Sequence, residues 1–213
     1  GAAQTITNGI DLSSKGGLVW VKGRNLALDH QFFDTNRNAL NYLSSNTTSA
    51  QATMAGTLTS FSSNGFSLGS NNYVSSNGFI YVAWTFRQAP KFFDVVTYTG
   101  NSTARSIAHN LGVTPGMIII KRTNSSVNWV TGHISDFTKD MRLNTQDVQT
   151  SNSIFNGSTD TIFRVNGSIT PARDVNENGG TYIAYLFAHD TDDDSVVQCG
   201  AYTGNGSSTG PVI

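Results

Sequence analysis

Charge is scarce in this sequence. Only 13% of its 213 residues are Asp, Glu, Lys or Arg, and the formal net charge is -1. Gripping phosphate backbones takes clustered Lys and Arg, so nucleic acid is excluded as the main partner. No apolar run is long enough to cross a membrane as a helix, and no membrane insertion is expected. A single cysteine, Cys199, excludes an internal disulfide, so stability must come from packing or from assembly with other chains. Lys and Glu, which favour helices, are few. His30, His109, His133 and His189 show no H-x-H or H-E-x-x-H spacing, which argues against zinc. "GNGSSTG" (Gly204–Gly210) lacks the Lys of a phosphate loop. The chain opens at Gly1 with neither Met nor a signal peptide, which reads as a processed product or a piece of something longer.

What is present is glycine, 21 residues of it, with Ser, Thr and Asn crowding the gaps between apolar runs. That composition points to many short strands joined by turns. It also contains a repeat. "VTYTGN" (Val96–Asn101) returns as "GAYTGN" (Gly200–Asn205), about a hundred residues later. "GGLVWVKGR" (Gly16–Arg24) matches "PGMIIIKR" (Pro115–Arg122), with Lys22 on Lys121. "NYLSSN" (Asn41–Asn46) matches "MRLNTQ" (Met141–Gln146), and "IYVAWTF" (Ile80–Phe86) matches "TYIAYLF" (Thr181–Phe187). "GAAQTIT" (Gly1–Thr7) resembles "STARSIA" (Ser102–Ala108), and "GSSTGPVI" (Gly206–Ile213) enters that stretch a third time. The chain therefore reads as a window cut from a longer tandem array.

One whole copy holds seven or eight short strand-like runs, from "KFFDVVTYTG" to "GTYIAYLFAH". The expected fold is all-β: two tandem homologous antiparallel β-sandwich domains of about a hundred residues, cut inside the repeat at both ends. Residues 1–90 form the first repeat, which lacks its opening strand. Residues 91–190 form the second. Residues 191–213 form an acidic linker and the opening strand of a third. The orphan strand Ser195–Gly204 is expected to pair with a third copy or with the incomplete copy of a neighbour, because an unpaired edge strand is a liability.

Aligning the copies assigns faces. Trp20 meets Ile119 and Trp84 meets Tyr185, so both tryptophans read as core. His30 meets Trp129 and Phe33 meets Gly132. Positions that change class between copies are the better candidates for a surface that binds. A sugar site needs exposed aromatics beside Asn, Asp or Gln, and Trp129 with Asn128, and His30 with Asp29, are the candidates.

Few motifs suggest chemistry. "GSSTG" (Gly206–Gly210) fits G-x-S-x-G around Ser208, but lies in a turn next to Pro211 rather than between strand and helix. "DVNENGG" (Asp174–Gly180) resembles half of a calcium loop, yet Tyr185 stands where the closing carboxylate belongs. "DTDDDS" (Asp190–Ser195) reads as a solvated linker. Asn46, Asn101, Asn124, Asn156, Asn166 and Asn205 open N-x-S/T triplets, as expected by composition alone. No catalytic residue, metal ligand or cofactor is assigned. Glycan cleavage would need a pair of carboxylates across a cleft, and the two copies share none.

"GIDLSSKGGLVWVKGRN", "FFDTNRNALNYLSSN", "LTSFSSNGFSLGSNNYV", "YVAWTFRQAPKFFDVVTYTGN", "HNLGVTPGMIIIKR" and "GGTYIAYLFAHD" cover nearly the whole chain. In that order they are similar to a repeated domain of large tail-fibre-like and appendage proteins of marine and cyanobacterial bacteriophages. "SDFTKDMRL" (Ser135–Leu143) matches only loosely. The resemblance implies a component of the virion surface, a homo-oligomer such as the trimers common among phage fibres, in contact with other virion proteins. The leading expectation is a non-enzymatic structural or adhesive module that contributes to host attachment. The alternative is a carbohydrate-binding module that grips cell-surface glycan.

Overall fold

The computed structural model describes residues 1–167, 174–193 and 195–206. The described residues are all-β apart from one helical turn, and their strands pair antiparallel in several sheets with no barrel. In order, the strands are β1 (Gln4–Thr7), β2 (Gly17–Gly23), β3 (Gln31–Asp34), β4 (Asn41–Ser44), β5 (Ala52–Thr53), β6 (Leu58–Ser62) and β7 (Gly65–Leu68). The turn α1 (Asn72–Ser75) precedes β8 (Tyr81–Arg87), β9 (Phe93–Thr99), β10 (Arg105–Ala108) and β11 (Pro115–Arg122). Then come β12 (Val130–His133), β13 (Lys139–Arg142), β14 (Thr150–Ser151), β15 (Ile162–Val165) and β16 (Thr181–Ala188).

Four sheets result. A five-stranded sheet has the order β5-β4-β3-β2-β8, and a six-stranded one has β14-β13-β12-β11-β16-β9. A three-stranded sheet, β1-β7-β6, covers the former, and the pair β10-β15 covers the latter. The two large sheets face each other, so the molecule is four layers deep. The alternation of side chains along each strand explains how. On β2, Val19 and Val21 point to the small sheet and join Phe33, Leu58, Phe66 and Leu68 in one core. Leu18 and Trp20 point the other way, toward Ile119, Trp129, Ile183 and Tyr185 of the six-stranded sheet. On β16, Tyr182, Ala184 and Leu186 face Ile107, Phe163 and Val165, while Ile183 and Tyr185 face the five-stranded sheet.

This is why "LVWV", "MIII" and "YIAYLF" are unbroken apolar runs: both faces of these strands are covered. The middle core, between the large sheets, was not foreseen from the sequence. There Phe86 lies edge-to-face on Phe187 with centroids 5.3 Å apart. Polar bonds cross the same boundary. Asn36 Nδ2 donates to Val95 O (2.9 Å), and Gln51 N donates to Thr123 O (2.8 Å).

Three expectations need correction. "NYLSSN" and "MRLNTQ" do not lie in the same register: Leu43 pairs with Phe32 on its neighbouring strand, whereas Met141, not Leu143, pairs with Thr131. Trp84 is not core; it is 43% exposed because β8 is the last strand of its sheet, whereas Tyr185 on interior strand β16 is fully buried. The segment from Ser195 to Asn205 forms no strand, and Val196 and Tyr202 are exposed. A strand needs a sheet edge to pair with. This segment instead folds against the end of β16, where Asp190 N donates to Val197 O (3.3 Å) and Cys199 N to His189 Nδ1 (3.1 Å). The "GSSTG" motif and its Ser208 extend beyond the described residues.

Candidate functional site at the β8 edge

The four residues expected to bind glycan do not converge on an open site. Trp129 has no exposed surface. Its Nε1 donates to the carbonyls of Ser44 and Thr47, each at 3.1 Å, and its ring lies between Phe32 and Tyr185. It pins the two large sheets together, so no sugar can stack on it. Asn128 Oδ1 accepts from Asn144 Nδ2 (2.9 Å), and Asp29 Oδ1 accepts from Asn46 Nδ2 (2.7 Å). His30 is half-buried, with its ring 6.1 Å from that of Trp20. Burial pushes its pKa down, Lys22 adds to the effect, and Asp29 opposes it.

Four buried carboxylates, Asp34, Asp94, Asp140 and Asp174, are committed to internal partners. Asp34 pairs with Arg37 and accepts from the Tyr185 hydroxyl. Asp94 accepts from Gln88 Nε2, Val95 N and Asn110 N. Asp140 accepts from Arg142, Asn152 and Thr150. In the calcium-like loop, Asp174 pairs with Arg122 (2.5 Å) and accepts from the Tyr182 hydroxyl, while Asn176 bonds Asn101 N, Thr103 O and Asn166 O. These side chains tie the loop to the sheet. Among the described residues no group of His, Cys, Asp and Glu is arranged to hold a metal ion. Lys121 is also buried; its ammonium donates to Arg122 O (2.8 Å) and Ser125 O (3.2 Å), and desolvation lowers its pKa to about 8. Lys22 likewise donates to a loop carbonyl, Leu28 O (2.6 Å).

The unsatisfied surface lies elsewhere, along β8. Among the described residues this strand pairs with β2 on one side and carries no partner on the other. Phe79 and Ile80 lead into it exposed, and Trp84 lies midway, its ring 4.8 Å from Trp20. Trp20 Nε1 is buried without a hydrogen-bond partner. On the other face of the sheet, a cavity of about 360 Å³ opens between Ile6, Phe66, Leu68, Val74, Tyr81 and Ala83. The cavity, lined also by Gln4 and Asn8, lies beside this edge, the arrangement in which an added strand would draw hydrogen bonds from the backbone and selectivity from a side-chain hole.

All 213 residues, 1–213, match the family model described as a domain of unknown function (DUF7483). The chain belongs to that family. No curated protein and no solved structure matches it.

In this DUF7483 chain the described residues give β8 one neighbouring strand, where β16 has two. That a shaped cavity would lie beside β8 was not readable, because its walls come from β1, β7 and the α1 turn, far apart in sequence.

Proposed function

We propose that this chain is a non-enzymatic structural and adhesive module of a bacteriophage tail fibre or other virion appendage, and that it contributes to host attachment. On this reading it consists of two tandem copies of one β-sandwich and sits on the virion surface, in homo-oligomers and beside other virion proteins. It would hold a distal receptor-binding tip away from the particle.

The observation that carries the reading is the matching strand pairing of the two halves around one shared middle core. β2 pairs with β3 and β8 as β11 pairs with β12 and β16, and β1 pairs with β7 as β10 pairs with β15. A duplicated unit whose halves share a core is stiff, since neither half can turn without exposing Phe32, Trp129 and Tyr185. Its buried charges serve the fold. Its neutral outer surface, rich in Ser, Thr and Asn, suits a spacer. The similarity of its segments to phage appendage repeats supplies the setting.

Antibodies raised against the chain test the setting by labelling virions for electron microscopy. Label on an appendage is the expected result; label confined to the unassembled fraction of a lysate would overturn it. The second reading, a glycan-binding module, keeps one supporting observation, the exposed Trp84 beside Lys22 and Arg24. A glycan array in which Trp84→Ala abolishes a specific signal would favour it.

A further inference from the structure

We propose that the free edge of β8 is the acceptor for residues Val196–Tyr202 of a second copy of this chain, with Tyr202 filling the cavity behind Tyr81. The inference uses the correspondence between the halves and does not depend on a virion setting.

The second half shows what a filled edge looks like. There β9 runs antiparallel to β16, with Tyr98 opposite Tyr182 and Phe93 opposite Phe187. Tyr98 is buried and stacked on Tyr182, with centroids 5.0 Å apart and planes inclined by 14°. Its hydroxyl donates to Val175 O at 2.6 Å, and its ring meets Phe163 at 6.0 Å.

Each wall of the empty cavity has its counterpart in that pocket. Ile6 pairs with Phe66 as Ile107 pairs with Phe163, and Gln4 pairs with Leu68 as Arg105 pairs with Val165. Gly23 pairs with Tyr81 as Arg122 pairs with Tyr182, and Val21 with Ala83 as Ile120 with Ala184. Val74 corresponds to Val175. The cavity therefore lies where the second half holds a tyrosine, and the empty edge lies where it holds a strand.

The chain carries one further segment of matching pattern. "VVQCGAYTGN" (Val196–Asn205) aligns without a gap on "FFDVVTYTGN" (Phe92–Asn101), so Tyr202 takes the place of Tyr98. In the β9 register Tyr202 falls opposite Tyr81, Gly200 opposite Ala83, Cys199 opposite Trp84 and Val197 opposite Phe86. Tyr202 is 68% and Val196 74% exposed; the segment is held at its root by Asp190 N on Val197 O, Cys199 N on His189 Nδ1 and Cys199 Sγ on Ala188 O, contacts that exchange gives up for a full strand pairing. Within its own chain the segment is anchored on the six-stranded sheet, at His189, which leaves β8 open to another copy. Reciprocal exchange closes a two-fold dimer and leaves neither edge free.

Light scattering on the full chain over a wide concentration range, with disulfide trapping, tests this. The expected mass rises from 22.8 kDa to that of two chains or more. Tyr202→Ala is expected to weaken association roughly thirtyfold, as removal of a buried anchor residue does. That side chain is exposed in the single chain, so its loss leaves the fold intact. Trp84→Cys is expected to form an intermolecular disulfide with Cys199, absent when Cys199→Ser is added. Should Trp84→Cys fail to fold, Thr85→Cys with Gln198→Cys in the Cys199→Ser chain probes the same register. A 22.8 kDa mass throughout, association unchanged by Tyr202→Ala, or a disulfide closed within one chain would each overturn the proposal.

Discussion

The Tyr185 hydroxyl donates to Asp34 Oδ2 at 2.7 Å across the boundary between the two large sheets. Arg37 holds the same carboxylate, at 2.6 Å from its Nε, and also donates to Phe32 O and the Tyr185 oxygen. All three side chains are buried, in a core otherwise built of aromatic and aliphatic groups. A buried pair with every polar atom engaged fixes one relative placement of its surroundings. Tyr185→Phe removes one hydrogen bond and is expected to cost about 1–3 kcal/mol in urea unfolding. Asp34→Ala strands the Arg37 guanidinium and is expected to cost about 3–5 kcal/mol. If Asp34→Ala proved the milder of the two, the network would not be what locks the sheets.

Trp129 and Trp84 are expected to behave in opposite ways. Trp129→Ala empties the middle core and leaves the Ser44 and Thr47 carbonyls without their donor, a loss of about 3–5 kcal/mol in chemical denaturation. Trp84→Phe is expected to leave stability nearly unchanged and to remove most of the tryptophan fluorescence that acrylamide quenches. Efficient quenching that survives Trp84→Phe would place another indole at the surface.

The strand runs and the turns between them were legible because they follow from local pattern. Lys22 and Lys121, matched in the sequence, each bind loop carbonyls. The middle core was hidden because an apolar run announces burial on both faces without naming what covers each face. The change from His30 to Trp129 was misleading for a related reason. It marks a ring that enters the boundary from one half only, not a surface under different use. Class changes between copies thus reflected asymmetric packing.

Gly132 shows the same asymmetry in a form that can be tested. In the sequence it is set against Phe33, which fills its own core, and the space above Gly132 is taken by the Phe155 ring. A Cβ at position 132 would run into that ring. Gly132→Ala is expected to cost about 1–3 kcal/mol by overpacking. Combining it with Phe155→Leu should restore part of the loss, giving a non-additive pair in a double-mutant cycle. Additive losses would mean that the two positions do not share the space.

Buried titrating groups predict how stability changes on the alkaline side. Burial lowers the Lys121 pKa to about 8, against 10.5 for the free side chain, with Asp174 opposing the fall and Arg122 adding to it. Between those values the unfolded chain holds a proton that the folded chain has released, so folding gains stability as pH rises. The tyrosines act in the opposite sense. Desolvation raises the pKa of Tyr98, Tyr182 and Tyr185 above 10.0, with the Asp174 hydrogen bond adding to the rise at Tyr182. Above that pH the unfolded tyrosines ionise while the folded ones stay neutral, and stability falls. Urea midpoints are therefore expected to climb from about pH 8 to about pH 10 and then drop, and Lys121→Met should flatten the climb while leaving the drop. A midpoint that declines steadily from neutral pH upward would show that Lys121 keeps its proton in the folded chain.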